Sequence, residues 1–126
     1  MKIADAPRTA QGYYEARPGD VAGRDDLLVV DVRAPEELTS ELGHIHGVTH
    51  VPMQVLLAEG LPDVPVDRAV VLVCRSGMRS AQCAAVLASQ GYREVYNLVG
   101  GMMRWRAEER PAARTPTWKT PAKPGA

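Results

Sequence analysis

Residues 69–90 read Ala-Val-Val-Leu-Val-Cys-Arg-Ser-Gly-Met-Arg-Ser-Ala-Gln-Cys-Ala-Ala-Val-Leu-Ala-Ser-Gln. An unbroken apolar run at 69–73 stops at a cysteine, passes a glycine and two arginines, and becomes a stretch with apolar residues at helical spacing (Ala84, Leu87, Ala88). A short, wholly apolar run bounded by turn residues reads as a strand covered on both faces, as in a parallel sheet. Open parallel sheets bind ligands just beyond the C-terminal ends of their strands. Cys74 stands at such an end. Beyond it, Gly77 lets the chain curl, so that loop N–H groups and the start of a helix can converge on one point. The occupant expected there is an anion or a thiolate.

Working outward, Leu-Leu-Val-Val-Asp-Val at 27–32 reads as a second buried strand, expected at the centre of the sheet and ending at Asp31 and Arg33 before Pro35. Residues 9–17, with Tyr13, Tyr14 and Ala16, are expected to form a short helix ended by Pro18 and Gly19. A charged helical turn follows at 34–41, and a turn into a short strand spans 43–51. Leu56, Leu57 and Leu61 mark a small amphipathic helix, and the helix after the cysteine loop runs over about 79–90 with Gly91 as its stop. Residues 95–98 form a last strand, and Gly100-Gly101 opens a final helix through Trp105. Alternating strands and helices with short connections predict an α/β domain with a largely parallel sheet. The domain is placed at 1–110. Residues 111–126 carry Pro111, Pro116, Pro121 and Pro124 and are expected to be a flexible or surface-draped tail.

With 126 residues the chain fits one domain. Fifteen basic residues balance fifteen acidic ones, which leaves no net field to gather nucleic acid or anionic membrane. No stretch approaches the ~20 apolar residues of a membrane span. Two cysteines, Cys74 and Cys83, are too few for a disulfide framework. A free thiol in a reducing, cytoplasmic setting is the expectation, with no nucleic acid or membrane partner.

A thiol becomes nucleophilic only when ionised, and loop N–H groups, a helix start and nearby arginines lower its pKa. Arg75, Arg79 and the helix opening supply these. Each arginine is open to two uses, receiving an anion or pairing with a carboxylate. Ser76 and Ser80 can donate hydroxyls into the loop, although capping is the role favoured for Ser80. Asp31 and Arg33 are read first as a structural ion pair, and as possible support for the loop across the crevice. His44, His46 and His50 lack a clear further ligand, so no metal site is assigned; His44 is read as fastening a loop. Cys83 is read as core packing.

These residues resemble a known family. From about residue 27 to 105, the ordered set Asp31-Val32-Arg33, Gly43-His44-Ile45 with Gly47, Val51-Pro52, Cys74-Arg75-Ser76-Gly77-Met78-Arg79-Ser80, Gly91-Tyr92 and Gly100-Gly101-Met102 with Trp105 is similar to the single-domain rhodaneses, which are sulfurtransferases. The resemblance implies a three-layer α/β domain, a mainly parallel central sheet flanked by helices. It implies Cys74 as the catalytic residue, with a substrate-binding loop of Arg75, Ser76, Gly77, Met78, Arg79 and Ser80. It also implies sulfur transfer from an anionic donor such as thiosulfate, through a Cys74 persulfide, to cyanide or a thiol, including a protein thiol, with no cofactor. The alternatives are a persulfide-carrying or non-catalytic binding module, and a phosphatase or arsenate reductase. Loops of the latter kind place one more residue between cysteine and arginine than the four that separate Cys74 from Arg79.

Overall fold

The computed structural model describes residues 1–121. Along the chain the elements are β1 (Tyr14–Ala16), α1 (Pro18–Val21), β2 (Leu28–Asp31), α2 (Pro35–Leu38), β3 (Thr49–His50), α3 (Met53–Glu59), β4 (Val70–Val73), α4 (Met78–Ser89), β5 (Val95–Leu98) and α5 (Gly101–Ala107). The five strands form one sheet in the order β1-β5-β4-β2-β3, and every pairing is parallel. β4, the apolar run that precedes Cys74, is the middle strand and is buried at every position. β2, expected at the centre, is interior but lies one place away, between β4 and β3.

Alternation along the strands splits the core in two. Val70 and Leu72 join Leu56 of α3 and Cys83, Ala84 and Leu87 of α4 on one face. Val71 and Val73 join Val21 of α1 and Met102 and Trp105 of α5 on the other. Helices thus cover both faces of the sheet, the three-layer arrangement that parallel strands require. No helix among the described residues is long and apolar enough to cross a membrane.

The helix expected over 9–17 is not formed. Tyr13 belongs to the α3/α4 core whereas Tyr14 and Ala16 belong to the opposite one, a period of two rather than of helical turns. Pairing of β1 with β5 satisfies this backbone. Pro18 does not end a helix but begins one, at the first position of α1, where its missing N–H costs nothing. Pro35 serves α2 in the same way.

At the end of β2, Asp31 and Arg33 are almost completely buried. Arg33 donates from Nε to Asp31 Oδ1 at 2.9 Å and from Nη2 to Oδ2 at 2.8 Å. Its remaining donors reach Gly43 O at 2.8 Å and Glu37 O at 3.3 Å. A buried guanidinium is tolerable only when its N–H groups are used in this way. The pair therefore ties the sheet to α2 and to the turn before β3.

His44 fastens that turn. Nδ1 donates to Leu38 O at 2.8 Å, so Nε2 accepts the Thr117 hydroxyl at 2.7 Å. Of the Pro-rich segment expected at 111–126, residues 122–126 lie outside the described residues. Residues 113–119 run beside β3: Ala113 exchanges backbone hydrogen bonds with His44, His50 donates to Lys119 O, and Lys119 donates to Val48 O. Trp118 sets its ring edgewise to His44 and His50, at centroid distances of 5.1 and 6.2 Å.

Replacing Arg33 by Met leaves the Asp31 carboxylate buried without its partner. Urea unfolding is expected to show a loss of about 3–5 kcal/mol. A loss no larger than that of an exposed ion pair, under about 1 kcal/mol, would contradict the role given to this pair.

Candidate active site

Cys74 follows β4 directly and is 1% exposed. The chain then turns through Gly77, which caps α4 with φ of +100°, a left-handed conformation that suits glycine. This turn points the loop's N–H groups inward. Gly77 N donates to Cys74 Sγ at 3.0 Å, and Ser80 Oγ lies 3.2 Å from the same sulfur. Burial pushes the Cys74 thiol up, but the Ser80 hydroxyl and the backbone N–H groups of Ser80, Gly77 and Ser76 outweigh it. The group is held below the ordinary thiol value. Cys83, on the core face of α4, goes the other way: burial, reinforced by the proximity of Cys74, pushes it up to about 11. One cysteine is prepared to be an anion and the other is not.

The loop is also held from outside. The first N–H groups of a helix lack intrahelical partners, and α5 spends two of them on the strand end: Met102 N donates to Cys74 O and Met103 N to Arg75 O, both at 2.9 Å. Such contact requires backbone against backbone. Gly101, with φ of +56°, permits it, because a Cβ there would collide with the carbonyls of Cys74 and Arg75.

The two loop arginines differ. Arg79 donates from Nη1 and Nη2 to the two carboxylate oxygens of Glu37, each at 2.9 Å. Chiefly through these bonds, the Glu37 carboxyl is held down to about 2. Arg75 is exposed and has no carboxylate partner among the described residues. Ser76 is exposed too, and Met78 is 73% exposed, so the loop presents one uncommitted cation beside an apolar side chain.

Ser80, favoured as a helix cap from its position, does not cap α4: Gly77 holds the N-cap position, and the Ser80 hydroxyl faces Cys74 Sγ and Asn97 Oδ1. Asp31 and Arg33 pair with each other and do not reach across to the cysteine loop. Their connection to it is indirect, since Arg33 holds the Glu37 carbonyl while the Glu37 side chain holds Arg79. Of the three histidines, His44 is buried, His46 is exposed, and His50 donates from Nε2 to Arg33 O at 2.7 Å.

Three further residues belong to the site. Glu37 approaches from α2, and nothing in its local sequence announces the pairing across 42 positions. Asn97 donates to Gly77 O at 3.2 Å and to Glu15 Oε2 at 3.2 Å. The signal for Asn97 is legible, a polar amide inside the apolar run Val-Tyr-Asn-Leu at 95–98. Glu15 carries no such signal.

Comparison with known proteins matches this arrangement to one family. A model described as "Rhodanese-like domain" matches residues 19–108. A protein of Allochromatium vinosum named "Sulfurtransferase" is 42% identical over 85 residues, covering 68% of this chain and 77% of that one. The thiosulfate sulfurtransferase GlpE of Ectopseudomonas mendocina is 39% identical over 80 residues, covering 64% of this chain and 71% of the relative. Among solved structures, a rhodanese-related protein from Thermoplasma volcanium superposes with a TM-score of 0.72 at 27% identity, over 82% of this chain and all of that one.

If Gly101 is there for backbone contact, Gly101→Ala is expected to lose clearly more stability in urea than Gly23→Ala. Gly23 has φ of +73° with nothing near its missing Cβ, so its substitution brings only the left-handed penalty of about 1–2 kcal/mol. Equal losses at the two positions would contradict the contact.

Proposed function

This chain belongs to the rhodanese-like family of sulfurtransferases, and on that premise we propose that it moves a sulfane sulfur from thiosulfate or a related persulfide or polysulfide donor through a persulfide on Cys74. The observation that carries this reading is the convergence of the Ser80 hydroxyl and three backbone N–H groups on a buried sulfur whose pKa they lower. In the first half-reaction the Cys74 thiolate attacks the outer sulfur of thiosulfate. A bond forms between Sγ and that sulfur, the sulfur–sulfur bond of thiosulfate breaks, and its electron pair leaves with sulfite. In the second, cyanide or an acceptor thiolate takes the outer sulfur, and the electron pair of the breaking bond restores the Cys74 thiolate. Splitting the transfer in this way replaces one difficult displacement by two easier ones.

Ser76, Gly77 and Ser80 cradle the sulfur, and Arg75 receives the oxygens of the anionic donor by charge-assisted hydrogen bonds. Arg79, bound to Glu37, acts instead as a fixed positive charge behind the loop. Met78 at the rim suits an acceptor with apolar surface, including the thiol of a protein partner. A reducing, cytoplasmic setting fits a cysteine that must return to the thiolate after each turnover.

The phosphatase reading is disfavoured by loop size. Four residues between Cys74 and Arg79 form a narrower ring, suited to a single sulfur atom rather than a tetrahedral phosphoryl group. A non-catalytic binding module is disfavoured because the nucleophile and its donors are all present.

Intact mass after incubation with thiosulfate is expected to rise by one sulfur atom, and the gain is expected to vanish in Cys74→Ser. Thiocyanate formation from thiosulfate and cyanide should accompany it, with aryl phosphates left intact. Phosphatase turnover without sulfur transfer, or an adduct that survives Cys74→Ser, would overturn the proposal.

A further inference from the structure

Asn97 stands on β5, where the alternation that sends Tyr96 and Leu98 to the α5 face sends Val95 and Asn97 towards α4. The two ends of its carboxamide can be told apart by their surroundings. Nδ2 faces two oxygens that only accept, Gly77 O and Glu15 Oε2, each at 3.2 Å. Turning the amide over would set Oδ1 against both with no proton between. The orientation is thereby fixed, and Oδ1 faces Ser80 Oγ at 2.5 Å. Two oxygens that close need a shared proton, and a carboxamide oxygen has none to offer. The proton is the one on Ser80.

Ser80 has only that proton, and Cys74 Sγ lies 3.2 Å from the same Oγ. While the sulfur is a thiol the network closes without conflict: S–H donates to Oγ, and Oγ–H donates to Oδ1. Once the sulfur is a thiolate it can only accept. We propose that Asn97 is a positioning residue for Cys74, whose carboxamide oxygen competes with the sulfur for the single Ser80 hydroxyl proton. The hydroxyl points to Asn97 while Cys74 is a thiol and swings to Sγ when the S–H proton has left for solvent. Ser80 keeps its own proton throughout; as the hydroxyl turns, Oγ and Oδ1 draw apart, because without a proton between them they cannot stay at 2.5 Å. Asn97 thus sets how much of the hydroxyl's stabilisation the thiolate receives. The switch concerns ionisation of Cys74 alone; its use in sulfur transfer rests on the proposed function.

Other charges face this sulfur. On α4 they are Arg79, paired with Glu37 of α2 and within the field of Asp31 of β2, and the Cys83 thiol. Arg75 follows Cys74 in the loop, and Glu15 of β1 lies beyond Asn97. Of these, only Glu15 loses a hydrogen bond when Asn97 is replaced.

The test is the ultraviolet absorbance of the thiolate against pH in the full chain, for the parent, Asn97→Ala, Ser80→Ala and the double variant. Cys83, at about 11, titrates apart from Cys74. Asn97→Ala is expected to lower the Cys74 midpoint while Ser80 is present and to leave it unmoved in the Ser80→Ala background. An upward or absent shift with Ser80 present overturns the proposal; the upward one would follow if Asn97 merely tied down Gly77. So does an equal shift in both backgrounds. Should Asn97→Ala fail to fold, Asn97→Asp keeps an oxygen facing Ser80 and adds charge. Its midpoint is expected to rise more with Ser80 than without, and equal rises in the two backgrounds overturn the proposal. Absorbance requires no turnover, so failure here is distinct from failure to form a persulfide.

Discussion

A sulfur anion taken out of water loses its hydration, and burial alone would keep Cys74 protonated. What reverses this is a set of donors around Sγ: the N–H groups of Ser80, Gly77 and Ser76, aimed at it before the charge appears, and the Ser80 hydroxyl, which Sγ shares with Asn97. Because the N–H donors need no rearrangement at the moment of reaction, their stabilisation is available in full. Much of the architecture can be read as the means of holding them. β4 brings the sulfur to the strand end, the left-handed Gly77 curls the loop around it, and α4 starts where its own first N–H groups can join.

Behind the loop stand two supports of different chemistry. One is backbone contact, in which α5 spends the first of its N–H groups on the carbonyls of Cys74 and Arg75 and Gly101 removes the side chain that would prevent it. The other is a line of charges from the sheet outward, Asp31 to Arg33, Arg33 to the Glu37 carbonyl, and Glu37 to Arg79. This line explains why the two loop arginines are not equivalent. Arg79 is committed to a carboxylate, and Arg75 is exposed without one among the described residues, which is why the proposed function gives the donor anion to Arg75. The same cysteine in a domain without these supports would be an ordinary buried thiol, as Cys83 is.

The residues in the cysteine loop were legible because they are adjacent in the chain: an apolar run, a cysteine, a glycine and a helix can be read in order, and the parallel sheet follows from their alternation. The Asp31–Arg33 pair was legible as an ion pair for the same reason, two positions apart at a strand end. Glu37 and Glu15 were not, since their partners lie 42 and 82 positions away and only the sheet order brings them near. The β1 segment failed for a related reason. Tyr13, Tyr14 and Ala16 carry too short a pattern to separate a turn of helix from an edge strand, and pairing with β5 decides it. Ser80 reads as a cap because position at a helix start says nothing of a sulfur and an amide placed above it by neighbouring strands.

The central claim is that the loop makes Cys74 an anion where Cys83 remains a thiol. The rate of alkylation of each cysteine by iodoacetamide, resolved by peptide mass across a pH series, tests it directly. Cys74 is expected to react with an inflection below the ordinary thiol value of about 8.5, while Cys83 stays unreactive over that range. An inflection for Cys74 at or above that value, or equal reactivity of the two cysteines, would contradict the account.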